Sequence, residues 1–488
     1  MSESYLKRNV VYNIIGASIP TLVAVLTIPI YLRVIGEARY GVLSLIWLVF
    51  GYFGLFDFGL SRATAHRLSM LRSSGIKTRA SIFYTAACLN VATGLSVAGI
   101  FYLVAVPILN ITISKHTSLY GEVFASLPWI AIFFPIALLN GVLVGCMEAN
   151  ERFLQLNIQQ VVGAILLQCL PLAFVYWLGS NLEVAVLGAI AARTFAIAWL
   201  AFECIRWAFA AGWPQVDRSH IKELVRYGGW ITVTNSVSPV LTSIDQFVIG
   251  LLLGARAVAH YSIPFSLAGK ALIVPAALTR ALFPRLCYST TIEAQELSHR
   301  SLIILSATMA LICVPAILLT KLALGMWVGE DFALESHLVA EILLIGVWIN
   351  GLALIPFTLL QAQNRPDLVA KLHALEVIPF VLLLSLFIKI FGLPGAAMAW
   401  CLRVTADGVL MFLAAGFKGA GLKELGAPAL AVIAALLIAE LIRPDIGAAL
   451  AWALAILSCL SAWMLSRRDQ VLISYVRPII SRIVNLIF

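Results

Sequence analysis

Long apolar runs separated by short polar segments dominate the chain. A helix needs about 20 mostly apolar residues to cross a bilayer, and the runs have about that length. The strict alternation of apolar and polar positions that would indicate an outer-membrane barrel is absent from the sequence. The pattern therefore predicts transmembrane helices. We predict fourteen spans, at residues 10–32, 41–60, 82–107, 124–147, 157–178, 184–205, 228–252, 257–279, 301–320, 338–361, 372–391, 394–417, 425–442 and 447–465.

Composition agrees with this pattern. Of the 488 residues, 61% are hydrophobic and 12% are charged, whereas soluble domains are about 45–50% apolar and about 25% charged. Fourteen spans leave only short connections, which excludes a sizeable soluble catalytic domain. The predicted fold class is an all-α polytopic membrane protein.

The net charge of +9 is explained by topology. With the N-terminus and its Lys7 and Arg8 in the cytoplasm, cytoplasmic segments carry about three times as many Lys and Arg as the opposite side. This is the positive-inside bias; it predicts cytoplasmic termini and gives no reason to expect a nucleic-acid partner. Loss of one hairpin would leave twelve spans with the same polarity, and that alternative stays open.

Two halves of the sequence repeat at an offset of 218 residues. Residues 60–68 read LSRATAHRL and residues 278–286 read LTRALFPRL, and Gly36 matches Gly254 at the same offset. Because both units start from the cytoplasm, they are parallel repeats around a central cavity. The predicted parts are an N-terminal lobe (1–211, spans 1–6), a C-terminal lobe (212–424, spans 7–12), two extra transmembrane helices (425–465) and an amphipathic cytoplasmic tail (466–488).

Charges inside the predicted spans are the candidate functional residues. A charge at the bilayer centre costs about 2.5–3.5 kcal/mol on insertion scales and usually faces a cavity or a partner. Lys270 lies near the middle of span 8, and Asp245 in span 7 is within its reach. Either the two pair and lock the hairpin, or Lys270 receives an anionic substrate in the cavity. Arg193, near the middle of span 6, is a second candidate cavity cation.

Two further groups of charges lie nearer the ends of spans. Arg403 and Asp407, four residues apart on span 12, are expected to form an intrahelical pair; with Asp245 they are also candidates for ion coupling. His373 and Glu376, three apart on span 11, are expected to form another polar pair.

At the cytoplasmic mouth, Asp57, Arg62 and the repeat mate Arg280 would form a gate. They would attract anionic headgroups, or they simply follow the positive-inside bias. Nucleotide-binding loops, zinc-protease motifs and serine-nucleophile elbows are missing from the sequence. We therefore predict no catalytic residue, no metal site and no cofactor.

Several segments resemble the polysaccharide-transport (oligosaccharide flippase) branch of the multidrug/oligosaccharidyl-lipid/polysaccharide flippase superfamily. They are NVVYNIIGASIP from residue 9, TIPIYLRVIGEARYGVLSL from residue 27, GYFGLFDFGLSRA from residue 51, RYGGWITVTNSVSPVLTSIDQFVIGLLLGARAVAHYSI from residue 226 and QAQNRPDLVAK from residue 361.

The resemblance implies two helical bundles around a central cavity in a bacterial inner-membrane protein. It also implies movement of an undecaprenyl-diphosphate-linked oligosaccharide from the cytoplasmic to the periplasmic leaflet, for O-antigen, exopolysaccharide or capsule assembly. Lys270 is the best counterpart of the cations thought to hold the diphosphate in related lipid II flippases. Arg193 is a candidate on depth alone, and Arg33, at the far end of span 1, would serve an outward-open cavity. The implied partners are this substrate, membrane lipids and glycan polymerase machinery.

Two alternatives stay open. A cation-coupled small-molecule or drug exporter on the same fold predicts a carboxylate coupling site, with Asp245 as the leading candidate. A membrane-embedded glycan polymerase or ligase generally needs a substantial periplasmic loop. The longest far-side loops are expected at 108–123 and 321–337, which are short and plain, so this alternative is disfavoured.

Overall fold

The protein is helical throughout the part that can be described. The computed structural model describes residues 3–51, 60–71, 75–112, 117–150, 152–209, 237–417, 425–442 and 445–466. The helices in these residues are α1 (Glu3–Ile35), α2 (Glu37–Gly51), α3 (Leu60–Met70), α4 (Ile76–Thr112), α5 (Ser118–Ala149), α6 (Phe153–Leu178), α7 (Leu182–Phe209), α8 (Val237–Leu253), α9 (Ala255–Gly269), α10 (Ile273–Tyr288), α11 (Thr291–Trp327), α12 (Glu330–Ala362), α13 (Pro366–Ala414), α14 (Gly426–Leu437) and α15 (Ile446–Ser466).

The predicted apolar runs coincide with these helices. Eight helical segments are long and apolar enough to cross a membrane: α4 to α7, the joined pair α9–α10, and α11 to α13. Shorter apolar helices coincide with predicted spans 13 and 14 and with parts of predicted spans 1 and 7; residues 228–236 of predicted span 7 lie outside the described residues. Most of predicted span 2 falls on α2, and its remainder, 52–59, lies outside the described residues. The all-α polytopic fold class is confirmed.

The chain divides into two compact units, Met1–Ala259 and His260–Phe488. In the first unit, α5 packs on α4 and α7, and α6 packs on α7. Glycines allow these close approaches: a Cβ on Gly94 of α4 would lie 2.4 Å from the Cα of Pro135, and one on Gly188 of α7 would lie 2.6 Å from the Cα of Pro171. Small residues serve this purpose at many helix–helix contacts in membranes.

In the second unit, α12 packs on both α11 and α13. Of the eight long apolar segments, α12 has the largest buried share, so it forms the core of this unit. The predicted boundaries of the two lobes and of the extra helices stay a prediction. The predicted amphipathic tail lies outside the described residues, apart from its first residue.

The glycines matched by the repeat occupy equivalent helix junctions. Gly36 separates α1 from α2 with φ +81°, and Gly254 separates α8 from α9 with φ +86°. Left-handed backbone at a single residue favours glycine because other side chains clash there. The spacing of 218 residues thus corresponds to a shared turn conformation.

Three irregularities interrupt the helices in the second unit. Residues Lys270–Leu272 form a short 3-10 turn between α9 and α10. In α13, Gly392 (φ +64°, ψ −141°) breaks the helix into two arms. Beyond α14 the chain continues as a π-helical turn, Ile438–Ile442. Short 3-10 or π stretches often occur at hinges or functional sites, and both the 3-10 turn (Lys270) and the π-helical turn (Glu440) carry a charged residue.

Candidate functional site

Lys270 lies near the centre of the apolar segment Ala255–Tyr288, as the sequence predicts. The 3-10 turn at this point has a local cause: Pro275 lacks the N–H that would bond to the carbonyl of Ala271 in a regular helix. The Lys270 side chain is exposed, and it makes no hydrogen bond or ion pair with any residue that the structure describes. A mid-span ammonium of this kind needs water or an anion.

Arg193 also lies near the middle of an apolar helix, α7. It is half-buried, and its Nε is buried without a hydrogen-bond partner among the described residues. A guanidinium carries five N–H donors, so Arg193 retains capacity for an anionic ligand. Other helices of the first unit also carry buried polar atoms without partners among the described residues, which the sequence pattern does not predict.

These missed groups lie on helices that pack on one another. They include both amide atoms of Asn90 on α4, the Oδ1 of Asn140 on α5 and the Nε1 of Trp47 on α2, again within the described part of the chain. Buried polar groups are normally hydrogen-bonded. Asn90 and Asn140 stand in the middle of apolar runs, which is the sequence signal that could have identified them.

For the remaining candidate cation, Arg33, and for the predicted gate, the structure gives at most the position or exposure of each residue. Arg33, in the last turn of α1, and Arg280, on α10, are exposed. Arg62 lies on α3, but its side chain is not described, and Asp57 falls outside the described residues. The roles predicted for these four residues stay predictions.

Asp245 is completely buried on α8. One of its oxygens, Oδ1, accepts a hydrogen bond of 2.8 Å from the backbone N–H of Gln246. Asp245 belongs to the first compact unit and Lys270 to the second, so their pairing stays a prediction.

The charged residues of α13 form a cluster across its kink. Arg403 Nη1 lies 3.5 Å from Glu376 Oε2, and His373 Nε2 lies 3.5 Å from Asp407 Oδ1. The guanidinium of Arg403 also lies 5.3 Å from the ring centroid of Phe380. All four polar side chains of this cluster are at most 19% exposed.

This arrangement corrects the predicted pairing. Arg403 was expected to pair with Asp407 along one helix, but its carboxylate partner is Glu376 on the opposite arm. The physical reason is Gly392, which turns the second arm back along the first. Both oxygens of Glu376 and the Oδ1 of Asp407 lack a hydrogen bond within the described residues, so the cluster retains acceptors for a proton or a small cation.

An ion pair outside the predicted spans joins three helices of the first unit. Arg39, at the start of α2, donates to both oxygens of Glu122 on α5, at 2.6 and 2.5 Å. Glu122 Oε2 also accepts the backbone N–H of Leu182 at the start of α7, at 2.8 Å. The hydrogen bond to Glu122 raises the pKa of Arg39 above its usual value.

A second contact joins the start of α2 to the start of α9. Arg256 Nε donates to Glu37 Oε2 at 2.5 Å. One turn later, a Cβ on Gly41 would lie 1.8 Å from the carbonyl oxygen of Ala255. Only glycine permits this approach, so the two helix starts are held against each other by backbone contact as well as by charge.

Comparison with known proteins gives consistent results. The family model described as "Polysaccharide biosynthesis protein" matches residues 6–290. A curated relative from Shigella flexneri, named "Putative O-antigen transporter", is 32% identical over 415 residues, covering 83% of this chain and 96% of the relative.

Solved structures share the fold at low sequence identity. The lipid II flippase MurJ, in an inward closed conformation, matches with a TM-score of 0.72 and 11% identity, over 95% of this chain and 100% of that one. An inward-facing multidrug resistance MATE family transporter of the MOP superfamily matches with a TM-score of 0.68 and 13% identity, over 85% and 98%. At these identities the likeness establishes the fold alone.

Proposed function

The chain belongs to the polysaccharide biosynthesis protein family, and on that premise we propose that it is a flippase for lipid-linked glycans. Its substrate would be an undecaprenyl-diphosphate-linked oligosaccharide, moved from the cytoplasmic to the periplasmic leaflet for O-antigen, exopolysaccharide or capsule assembly. The relative named as an O-antigen transporter supports this substrate class.

The observation that carries the proposal is the exposed ammonium of Lys270, which lies in the middle of an apolar segment and has no partner among the described residues. A diphosphate and a hydrated glycan are poor solutes in hydrocarbon. A cation within the membrane would offset the cost for the diphosphate by charge-assisted hydrogen bonds. Arg193 would supply a second set of donors, and Arg33 would act when the cavity opens outward.

Transport would proceed by alternating access. The contact between Glu37 and Arg256 supports this, because it joins two helix starts that the topology prediction places at the periplasmic ends of spans 2 and 8. Release of this ion pair and separation at Gly41 would open the periplasmic side. The cytoplasmic gate would involve Arg62 and Arg280, together with Asp57.

The energy source would act at the α13 cluster. Glu376 and Asp407 offer buried carboxylate oxygens without hydrogen bonds in the described part of the chain. A proton or a small cation bound there would compete with Arg403 and His373 for the same oxygens. Binding would thereby change the contact between the two arms of α13.

In this proposal the protein is a transporter and not an enzyme. It would lie in the bacterial inner membrane with both termini in the cytoplasm, and it would deliver its substrate to glycan polymerase machinery. The short connections after α4 and α11 support this assignment over a polymerase or ligase, since α4 reaches Thr112 and α11 reaches Trp327.

A complementation assay tests the proposal. In a host that lacks its own flippase, we expect Lys270→Ala and Arg193→Ala to reduce surface polysaccharide about tenfold or more, since a hydrogen bond to a charged group contributes about 1.5–3 kcal/mol. Matched controls are Lys389→Ala, an exposed lysine on α13, and Arg206→Ala, in the last turn of α7. Membrane protein levels are measured by immunoblot for all four variants.

The outcomes separate the alternatives. Normal polysaccharide with both Lys270→Ala and Arg193→Ala would refute the site assignment. Failure of the wild-type chain to restore any surface glycan, together with cation-dependent export of small organic molecules, would refute the flippase and favour the exporter on the same fold.

A further inference from the structure

A cavity in the second unit lies away from every residue assigned above. It has a volume of about 640 Å³ and is bounded by α11, α12 and the π-helical turn that follows α14. Ligand sites commonly have volumes of about 300–1,000 Å³. Its walls are mainly apolar, with Leu318, Leu322, Ala333 and Leu334 among the lining residues.

A basic and an acidic side chain line this cavity, and no ion pair joins them in the described residues. Lys321 of α11 and Glu341 of α12 both line it. Lys321 is exposed and makes no ion pair with a described residue, although its charge is close enough to act on Glu341. Glu341 is only 1% exposed, and its Oε2 has no hydrogen-bond partner among the described residues. An occupant with both a cation and an anion would satisfy both groups.

The π-helical turn builds the acidic end of the cavity. It puts Ala439 in the cavity wall and brings Glu440 close to Glu341. His337 contacts Glu440: its Nε2 lies 3.4 Å from Glu440 Oε1. The Nδ1 of the same ring donates a hydrogen bond of 2.9 Å to the carbonyl of Ala333.

The acidic end of the cavity is therefore formed by the side chains of Glu341 and Glu440, with His337 next to Glu440. The remaining charged group that lines the cavity, Glu330, is exposed at the first turn of α12.

Exposed apolar side chains lie at the cavity, where Met326 and Leu334 are lining residues, and on the π-helical turn that bounds it. Met326 is 75% exposed and Leu334 is 59% exposed, and Leu441 on the π-helical turn is 78% exposed. The segments that carry the first two residues are candidate membrane spans. A molecule whose polar end enters the cavity could therefore lay hydrocarbon chains along these side chains.

From this arrangement we propose that the cavity binds the headgroup of a phospholipid with a primary ammonium, such as phosphatidylethanolamine. The ammonium donates to Glu341 Oε2, and the phosphate pairs with Lys321. A trimethylammonium headgroup offers no N–H for the buried acceptor, and an anionic glycerol headgroup offers no cation. This proposal is independent of the glycan substrate.

Thermal unfolding of the purified full-length protein in detergent tests it. Dioleoyl-phosphatidylethanolamine, -phosphatidylcholine and -phosphatidylglycerol are titrated as mixed micelles, and phosphoethanolamine without acyl chains forms a fourth arm. We expect the ethanolamine lipid to raise the unfolding midpoint at a lower mole fraction than the other three, because a ligand that binds the folded state stabilises it.

Variants separate the site from a general lipid effect. Glu341→Gln and Lys321→Gln should each raise the mole fraction needed for half the midpoint shift about tenfold. The control Glu296→Gln changes an exposed acid at the other end of α11, paired with Arg300, and should leave the titration unchanged.

Three results would overturn the proposal. The first is an equal response to all three lipids, and the second is a full response in both cavity variants. The third is an equal response to phosphoethanolamine alone, which would identify a soluble zwitterion instead of a lipid. If Glu341→Gln does not fold, Lys321→Gln alone decides, since Lys321 is exposed and has no ion pair with a described residue.

Discussion

Two buried or half-buried arginines within predicted spans are treated differently by the protein. Arg403 on α13 has Glu376 at 3.5 Å and the ring of Phe380 beneath it. Arg193 on α7 has a buried Nε without a partner in the described residues. The Nε of Arg403 is likewise buried without a partner in the described residues, so the two arginines differ in charge compensation: Arg403 has a carboxylate at 3.5 Å, and Arg193 has none among the described residues.

This difference teaches which charges are available to a ligand. Removing one member of a buried pair leaves its partner uncompensated and is costly. Removing an unpaired buried cation relieves a cost that the fold already carries. Measurements of stability can therefore distinguish a structural arginine from a functional one without knowledge of the substrate.

The largest effect is expected at Arg403. Arg403→Ala should lower the free energy of unfolding by about 3–5 kcal/mol, the usual cost of breaking a buried ion pair. The measurement is denaturant or thermal unfolding of the detergent-solubilised protein. Lys389→Ala, at an exposed site on the same helix, is the control. Adding Glu376→Gln should recover part of the loss; a double variant as unstable as the sum of both singles would contradict the pairing.

An intermediate effect is expected at Glu122. Glu122→Gln replaces a carboxylate that accepts two hydrogen bonds from Arg39 and one from the N–H of Leu182. The free energy of unfolding should fall by about 1–3 kcal/mol, because charge-assisted hydrogen bonds are lost. The raised pKa of Arg39 keeps the guanidinium charged below its unfolded-state pKa, so this end of the pair adds no pH dependence between pH 5 and pH 9. If the loss of unfolding free energy in Glu122→Gln changed between pH 5 and pH 9, the pairing of Glu122 with a permanently charged Arg39 would be contradicted.

The smallest effect on stability is expected at Arg193. Arg193→Gln should change the free energy of unfolding by less than about 1 kcal/mol, with a gain as the expected sign, since an uncompensated charge is removed. Polysaccharide export should fall sharply in the same variant. A large loss of stability would show that Arg193 is structural, like Arg403, and would remove it from the proposed cavity.

Much of the fold could be predicted from the sequence, because apolar run length and glycine position are local properties. The spans follow from the run length, and the shared turns at Gly36 and Gly254 follow from the repeat. The pairing of Arg403 with Glu376 could not be predicted, since it depends on how Gly392 reverses the chain. Spacing along one helix suggested the nearer residue, Asp407, instead.

The candidate site was predictable only in part. Lys270 and Arg193 stand out because a cation in an apolar run is unusual. Asn90 is neutral and was missed, and the cavity beside Glu341 depends on the π-helical turn, for which the run 425–442 gives no local signal. Features that arise from packing between distant segments are invisible to periodicity and charge counting.

The tight glycine junctions determine how much chain is exposed between helices. Of the six positive-φ glycines in the described residues, the five at residues 36, 179, 254, 329 and 392 lie on the face that charge counting assigns to the periplasm, and Gly416 lies on the opposite face. Such short reversals leave few residues that a protease or an antibody could bind, or at which an epitope could be inserted. Reporters that follow motion on the periplasmic face should therefore be attached to the helix ends themselves.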